Sequence, residues 1–335
     1  MNFVYLSQLL RALLLVVTFE SCNAQEITSN ILQLEKSIPL QVKGRIDHLD
    51  VNLKDQIIYV AALGNNTLEA VDLKTGKVRS IKGLDEPQGV AYIPQTKEIL
   101  VANGGTGDCV FYDALSFKNT GTIHLNSDAD DVRYDSVSKK IYVGYGEGGI
   151  AIIDAGTHQQ LGDIKLPAHP ESFQLDKDLN LLFINIPDAH MVGVVDLKKL
   201  TLVNKWLRST PSANFPMAVD SVNHRVFVGY RHPAKLIVFD GKSGKEISNM
   251  AITGDADDLY YDSKTNYVYV SGGSGSINIY EYPKNNIAKQ IANVATRTGA
   301  RTSLLIPQLS LFVLAERADG GKPADLLIYK IDKIQ

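Results

Sequence analysis

The feature that most limits what this chain can fold into is a repeated unit, 41–44 residues long, running from near Gly44 to the C-terminus. Seven apolar triplets mark it: Ile58-Tyr59-Val60, Ile99-Leu100-Val101, Ile141-Tyr142-Val143, Leu182-Phe183-Ile184, Val226-Phe227-Val228, Val268-Tyr269-Val270 and Leu311-Phe312-Val313. Their middle residues lie 41, 42, 41, 44, 42 and 43 positions apart. Each triplet is β-branched, aliphatic or aromatic, as suits a strand buried on both faces between packed sheets. The clearest copy is Asp128–Asp154, with runs DDVRYD, KIYVGY and GIAIID in order, and a close second copy begins at Asp255.

A third strand follows each triplet and ends at Asp72, Asp113, Asp154, Asp196, Asp240, Glu281 and Lys330. Polar, glycine-bearing turns come next in places, such as Lys74-Thr75-Gly76-Lys77 and Gly241-Lys242-Ser243-Gly244, and read as tight hairpins. Fourth strands then close the units, for example over 78–84, 120–125 and 160–166. Four antiparallel strands per unit of this length form the blade of a β-propeller, which cannot bury both faces without neighbours. The fold class expected is all-β: a seven-bladed propeller with blades starting near 44, 85, 126, 167, 210, 253 and 297.

Ring closure is also legible. The last unit ends just after its third strand, whereas residues 31–40, ILQLEKSIPL, precede the first unit and resemble a fourth strand such as 119–125. The N-terminal segment is therefore expected to complete the last blade, leaving no unpaired inner edge.

The pattern resembles the YVTN-type β-propeller repeat family, which includes YncE-like proteins. IYVAALGNNTLEAVDLKTGKV at 58–78 and IYVGYGEGGIAIID at 141–154 carry the resemblance, which spans roughly residues 31–335. It implies a propeller that serves as a binding platform, an electron-transfer partner or, in some members, an enzyme. Fold analogy alone does not choose among these.

Residues 1–24 read as a secretory signal: Arg11 precedes the apolar run 12–19, and Cys22-Asn23-Ala24 offers a small residue before Gln25. Residues 25–335 are then one propeller, periplasmic or extracellular, with lipidation at Cys22 as the alternative that would bring it to a membrane. Glu20 is a poor fit to a lipidation signal. Cys22 and Cys109 are the only cysteines; with Cys22 removed or lipidated, Cys109 has no intramolecular partner and the fold must stand without a disulfide. The formal net charge of −3 disfavours nucleic acid, including single-stranded DNA. A monomer is expected, with a small molecule or a protein as partner.

Loops entering the first strand of each blade share a face with those between second and third strands. Aligned, they place Asp47, Gln88, Asp130, Glu171, Phe215, Asp257 and Ala300 at one position, and His48, Gly89, Asp131, Ser172, Pro216, Asp258 and Arg301 at the next. Of these, Asp47, His48, Gln88, Asp130, Asp131, Glu171, Phe215, Asp257, Asp258 and Arg301 are the candidate ligand-binding residues at an acidic channel mouth. Close carboxylates need a cation, an arginine or water between them. Aspartates before a strand also serve as acceptors for nearby backbone N–H groups, a purely architectural use.

His169, His190 and His232 belong to the same face, His158 and His224 to the opposite one. Tyr145, Phe215, Tyr230 and Tyr260 are candidate pocket aromatics, and Trp206 is expected to pack in an outer strand. The Gly/Asn-rich loops precede no helix, so they are blade turns rather than phosphate loops. No nucleophile elbow is present and no catalytic residue is assigned. No cofactor motif is present; the one cofactor the mouth could hold is a divalent cation among Asp131, Glu171, Asp258 and His48, as in a lactonase-like hydrolase or a lyase. The leading expectation is a non-catalytic, exported scaffold that binds through the mouth.

Overall fold

A computed structural model describes residues 31–332; residues 1–24, expected to be a signal, and Cys22 lie outside them. Seven four-stranded antiparallel sheets stand around an axis, each ordered from an innermost to an outermost strand. In blade three the strands are Ala129–Asp135, Lys140–Tyr145, Gly149–Asp154 and Gln160–Lys165. Innermost strands of successive blades touch, and that of blade seven, Thr302–Ile306, touches that of blade one, Leu49–Asn52, so the ring is closed.

The N-terminal strand Leu32–Leu40 pairs antiparallel with Ala324–Ile331 and becomes the outermost strand of blade seven. The expected closure is therefore observed. Ile38 and Leu40 are buried with Val313 and Leu326 in the core shared by blades seven and one.

The seven repeat triplets lie in second strands and are buried except for the half-buried Leu311, and their apolar side chains fill the spaces between adjacent blades. Trp206 packs as expected, its ring centroid 5.3 Å from Phe183 and 5.4 Å from Phe239. Cys109 is buried and free. Acidic third-strand ends have a local cause. The Asp72 Oδ1 accepts N–H groups from Lys74 and Thr75, and Asp113, Asp154, Asp196 and Asp240 cap their turns in the same way. An aspartate there satisfies turn donors that the ladder leaves over.

Candidate functional site: the channel mouth

The backbone aims the mouth residues by a repeated device. In blades two, three, five and six the innermost strand is bulged, with register shifts at Pro87/Val90, Ala129/Val132, Asn214/Met217 and Ala256/Asp258. Gln88, Asp130, Phe215 and Asp257 lie inside these bulges. A bulge carries an unpaired residue and re-aims its side chain. Two residues upstream of each of these, Glu86, Asp128, Ala213 and Asp255 adopt left-handed backbone with φ of 50, 43, 59 and 52°. Gly299 does the same before Arg301, at φ 84°.

The side chains converge. Asp47, His48, Gln88, Asp130, Asp131, Glu171, Phe215, Asp257 and Arg301 all line one cavity of about 110 Å³. Asp258 instead faces a larger cavity of about 500 Å³ deeper in the channel, which His48, Asp131 and Asp257 also line. Those three residues form a charged layer between the two spaces.

His48 is central to that layer. Its Nε2 lies 3.6 Å from Asp130 Oδ1, 3.9 Å from Asp131 Oδ1 and 4.0 Å from Asp47 Oδ1. Burial opposes its charging, but Asp130, Asp131 and Asp47 outweigh burial and hold its pKa well above the ordinary histidine value. His169 is the second mouth cation. Burial is again outweighed, by Asp130, the Gly146 carbonyl at 2.7 Å and Asp128, which raise it to about 9.

The carboxylates divide accordingly. Asp130 resists its burial because His169 and His48 flank it, and its pKa falls below the usual range. Burial and the neighbouring Asp130 push Glu171 up to about 8, with His169 opposing. Burial also pushes Asp47 up to about 7, against His48. Asp130 Oδ1 is buried and has no hydrogen-bond partner among the described residues.

Of the cation, arginine or water that the crowded carboxylates require, arginine is prominent. Arg133 pairs with Asp131, and both Arg231 and Arg301 pair with Asp257. Arg231 also lies 3.6 Å over the Phe215 ring. Among the described residues no group of three or more His, Cys, Asp or Glu side chains is arranged to hold a metal ion.

The Asp-Asp pairs act between blades rather than within their own turns. Asp131 Oδ2 accepts the Phe173 N–H of blade four at 3.4 Å, and Asp258 Oδ2 accepts the Ser303 N–H of blade seven at 2.6 Å. Asp50 repeats the contact on Tyr92 N–H of blade two at 2.6 Å. Burial leaves Asp50 and Asp258 each at about 6, despite those donors.

Sequence reading missed Asp50, Arg133 and Arg231. Asp50 and Arg133 belong to the first strands themselves, and Arg231 lies near the end of the second strand of blade five, Arg225–His232. An arginine close in sequence to paired aspartates, as in DDVRYD, is the signal that would have found the first pair. Of the histidines, only His169 joins the expected residues; His190 and His232 are exposed. Of the aromatics, Phe215 lines the mouth and Tyr260 the deeper cavity. Tyr145 and Tyr230 do not: they are buried in the cores between blades three and two, and between blades five and four.

No family model matches this chain, and no curated protein matches it. Solved structures do match, 1801 chains in all, too many for the fold to decide function. A chain of a mitotic checkpoint complex superposes with a TM-score of 0.76 over 97% of this chain and 100% of its own, at 14% sequence identity. That identity establishes the shared fold alone.

Proposed function

We propose that this chain is an exported, YVTN-type propeller scaffold that binds a small molecule, or an inserted protein side chain, at its channel mouth. The observation that carries this reading is the mouth cavity, where Asp130 Oδ1 is buried without a hydrogen bond. His48 Nε2 stands 3.6 Å from that oxygen, an ionic neighbour beyond hydrogen-bond length, so a bound donor would complete its hydrogen bonding. Glu171 adds a second carboxyl on the same wall that has no ionic partner within 4 Å among the described residues. The superposed neighbour sits in a multiprotein complex, which accords with a scaffold role and names no partner for this chain.

The test is a thermal-shift comparison of the mature domain with an Asp130→Asn/Glu171→Gln variant over a panel of polar small molecules. A compound that raises the melting temperature of the parent and not of the variant supports the reading. Equal shifts in both proteins, or no shift in either, overturn it. Elemental analysis runs alongside, because a stoichiometric metal would replace the scaffold with the hydrolase class.

A further inference from the structure

The two faces of the ring expose different side chains. In blades one to six a backbone hydrogen bond ties the turn between third and fourth strands to the turn between first and second. Leu73 N–H donates to the Gln56 carbonyl in this way, and Ala114 N–H to the Lys97 carbonyl. Both sets of turns therefore form one face, opposite the mouth. They hold thirteen lysines, all exposed, against two exposed acids, Asp55 and Asp178. Among the described residues only Lys177 and Lys199 of these lysines have a carboxylate within 4 Å. The aspartates that end the third strands are half-buried and cap turn N–H groups. The loops of the mouth face carry Lys43 and Lys322 alone.

Aliphatic side chains project from the same turns. Leu53, Leu115, Val137, Val222 and Ile287 stand there, with Leu115 80% and Val137 78% exposed. The other exposed large hydrophobics, Leu34, Leu161, Val203 and Leu207, lie on outermost strands, and among the described residues none belongs to a mouth loop. A groove of about 790 Å³ between blades one and two joins Leu53 and Leu115 to Lys54, Arg79 and Lys97. Asp55 and Asp113 also line it, each hydrogen-bonded within its own turn. The chain enters the fold on this face too. The Ile31 carbonyl accepts Asp332 N–H at 2.9 Å, beside the bond from Ile331 N–H to the Ser310 carbonyl in a blade-seven turn.

We infer that this face docks on an anionic lipid bilayer and holds the mouth away from the membrane. The inference stands apart from whatever the mouth binds. Unpaired lysines attract anionic headgroups, and the aliphatic tips beside them enter the headgroup boundary. A bilayer is flat and accepts contacts spread over blades one, two, three, five and six. A folded protein partner would instead meet one packed apolar core ringed by polar groups. Single-stranded nucleic acid uses aromatic stacking platforms, whereas these tips are all aliphatic. Cys22, the alternative lipidation site, is nine residues before Ile31, so a lipid there would draw the same face to the bilayer.

The experiment is co-sedimentation of residues 25–335, which carry no lipid, with phospholipid vesicles. Phosphatidylcholine containing about one-third phosphatidylglycerol is compared with phosphatidylcholine alone. Binding to the anionic vesicles is expected at about 0.05 M salt and should be largely lost at about 0.5 M. Lys54→Glu/Lys118→Glu should weaken it about tenfold or more. Lys43→Glu/Lys322→Glu, the same change of net charge on the mouth face, should alter it less than about threefold. Leu115→Ser/Val137→Ser should weaken it severalfold while leaving the melting temperature unchanged. No binding to anionic vesicles at low salt overturns the inference. Equal losses from the two lysine pairs also overturn it, because attraction would then follow net charge rather than this face. Capture by immobilised poly-L-glutamate with no binding to vesicles assigns the face to an acidic protein and likewise overturns it.

Discussion

Arg225 and Asp220 form an ion pair sealed inside the protein. Nη2 and Nε of the arginine lie 2.6 and 2.9 Å from the same carboxylate oxygen, with the two side chains 2% and 1% exposed. Arg225 also donates to the Pro283 carbonyl at 3.1 Å, Asn286 Oδ1 at 3.2 Å and the Tyr261 hydroxyl at 2.9 Å. One guanidinium thus joins blade five to the strand and turn of blade six. Arg225→Met leaves Asp220 buried without its countercharge and should cost about 3–5 kcal/mol in urea unfolding. Adding Asp220→Asn should recover part of that, because no uncompensated charge remains. A single-variant loss below about 1 kcal/mol would refute this account.

Closure depends on Leu32–Leu40. Ile38 is 3% exposed and packs on blades seven and one, so Ile38→Ala should cost about 2–4 kcal/mol. Deleting residues 25–42 exposes the ladder edge of Ala324–Ile331 as well. That deletion should lower the melting temperature more than the point variant does. A truncated protein that melts with the parent would show that closure contributes nothing.

Gly89 is required by close approach. A Cβ there would stand 1.9 Å from the Asp130 carbonyl oxygen and 2.7 Å from Val132 Cγ2. Backbone must move to admit it, so Gly89→Ala should destabilise by about 1–3 kcal/mol and displace the Asp130 bulge. Gly156→Ala is the control: its nearest neighbour would be Asp154 Oδ1 at 3.5 Å, ordinary contact, and the change should stay within about 0.5 kcal/mol. Urea midpoints of the two variants check the contrast.

Raised carboxyls make the mouth pH-sensitive in a defined direction. Glu171 moves from 4.5 to about 8, so the folded state holds a proton that the unfolded state releases above pH 4.5. Stability from this group is therefore fully present below about pH 4.5 and is lost as pH rises towards 8. Asp47, Asp50 and Asp258 act in the same sense, with folded values of about 7, 6 and 6. His169, at about 9, extends the loss to higher pH. Asp130 has the opposite sign, and its contribution falls away only in acid. Glu171→Gln should flatten part of the slope and gain on the parent by on the order of 2–4 kcal/mol between pH 4.5 and 8. Denaturant melts of both proteins across that range read the difference, and parallel profiles would contradict it.

The sequence by itself determined the architecture. Repeat length, buried triplets, acidic turn caps and the displaced fourth strand are local properties, because strand burial and turn chemistry are written in residues close along the chain. The same alignment placed Asp47, His48, Gln88, Asp130, Asp131, Glu171, Phe215, Asp257 and Arg301 around one cavity, since a ring carries equivalent positions to the same place. Tertiary structure alone decided how those charges pair. Asp131 meets the Phe173 N–H of the next blade, and Asp257 meets Arg231 and Arg301 of the blades on either side. It also separated His169, which reaches Asp130, from His190 and His232, which share its face and stay in solvent. Periodicity gives the face on which a side chain stands. Which opposite charge it meets there depends on distances set by seven packed sheets together.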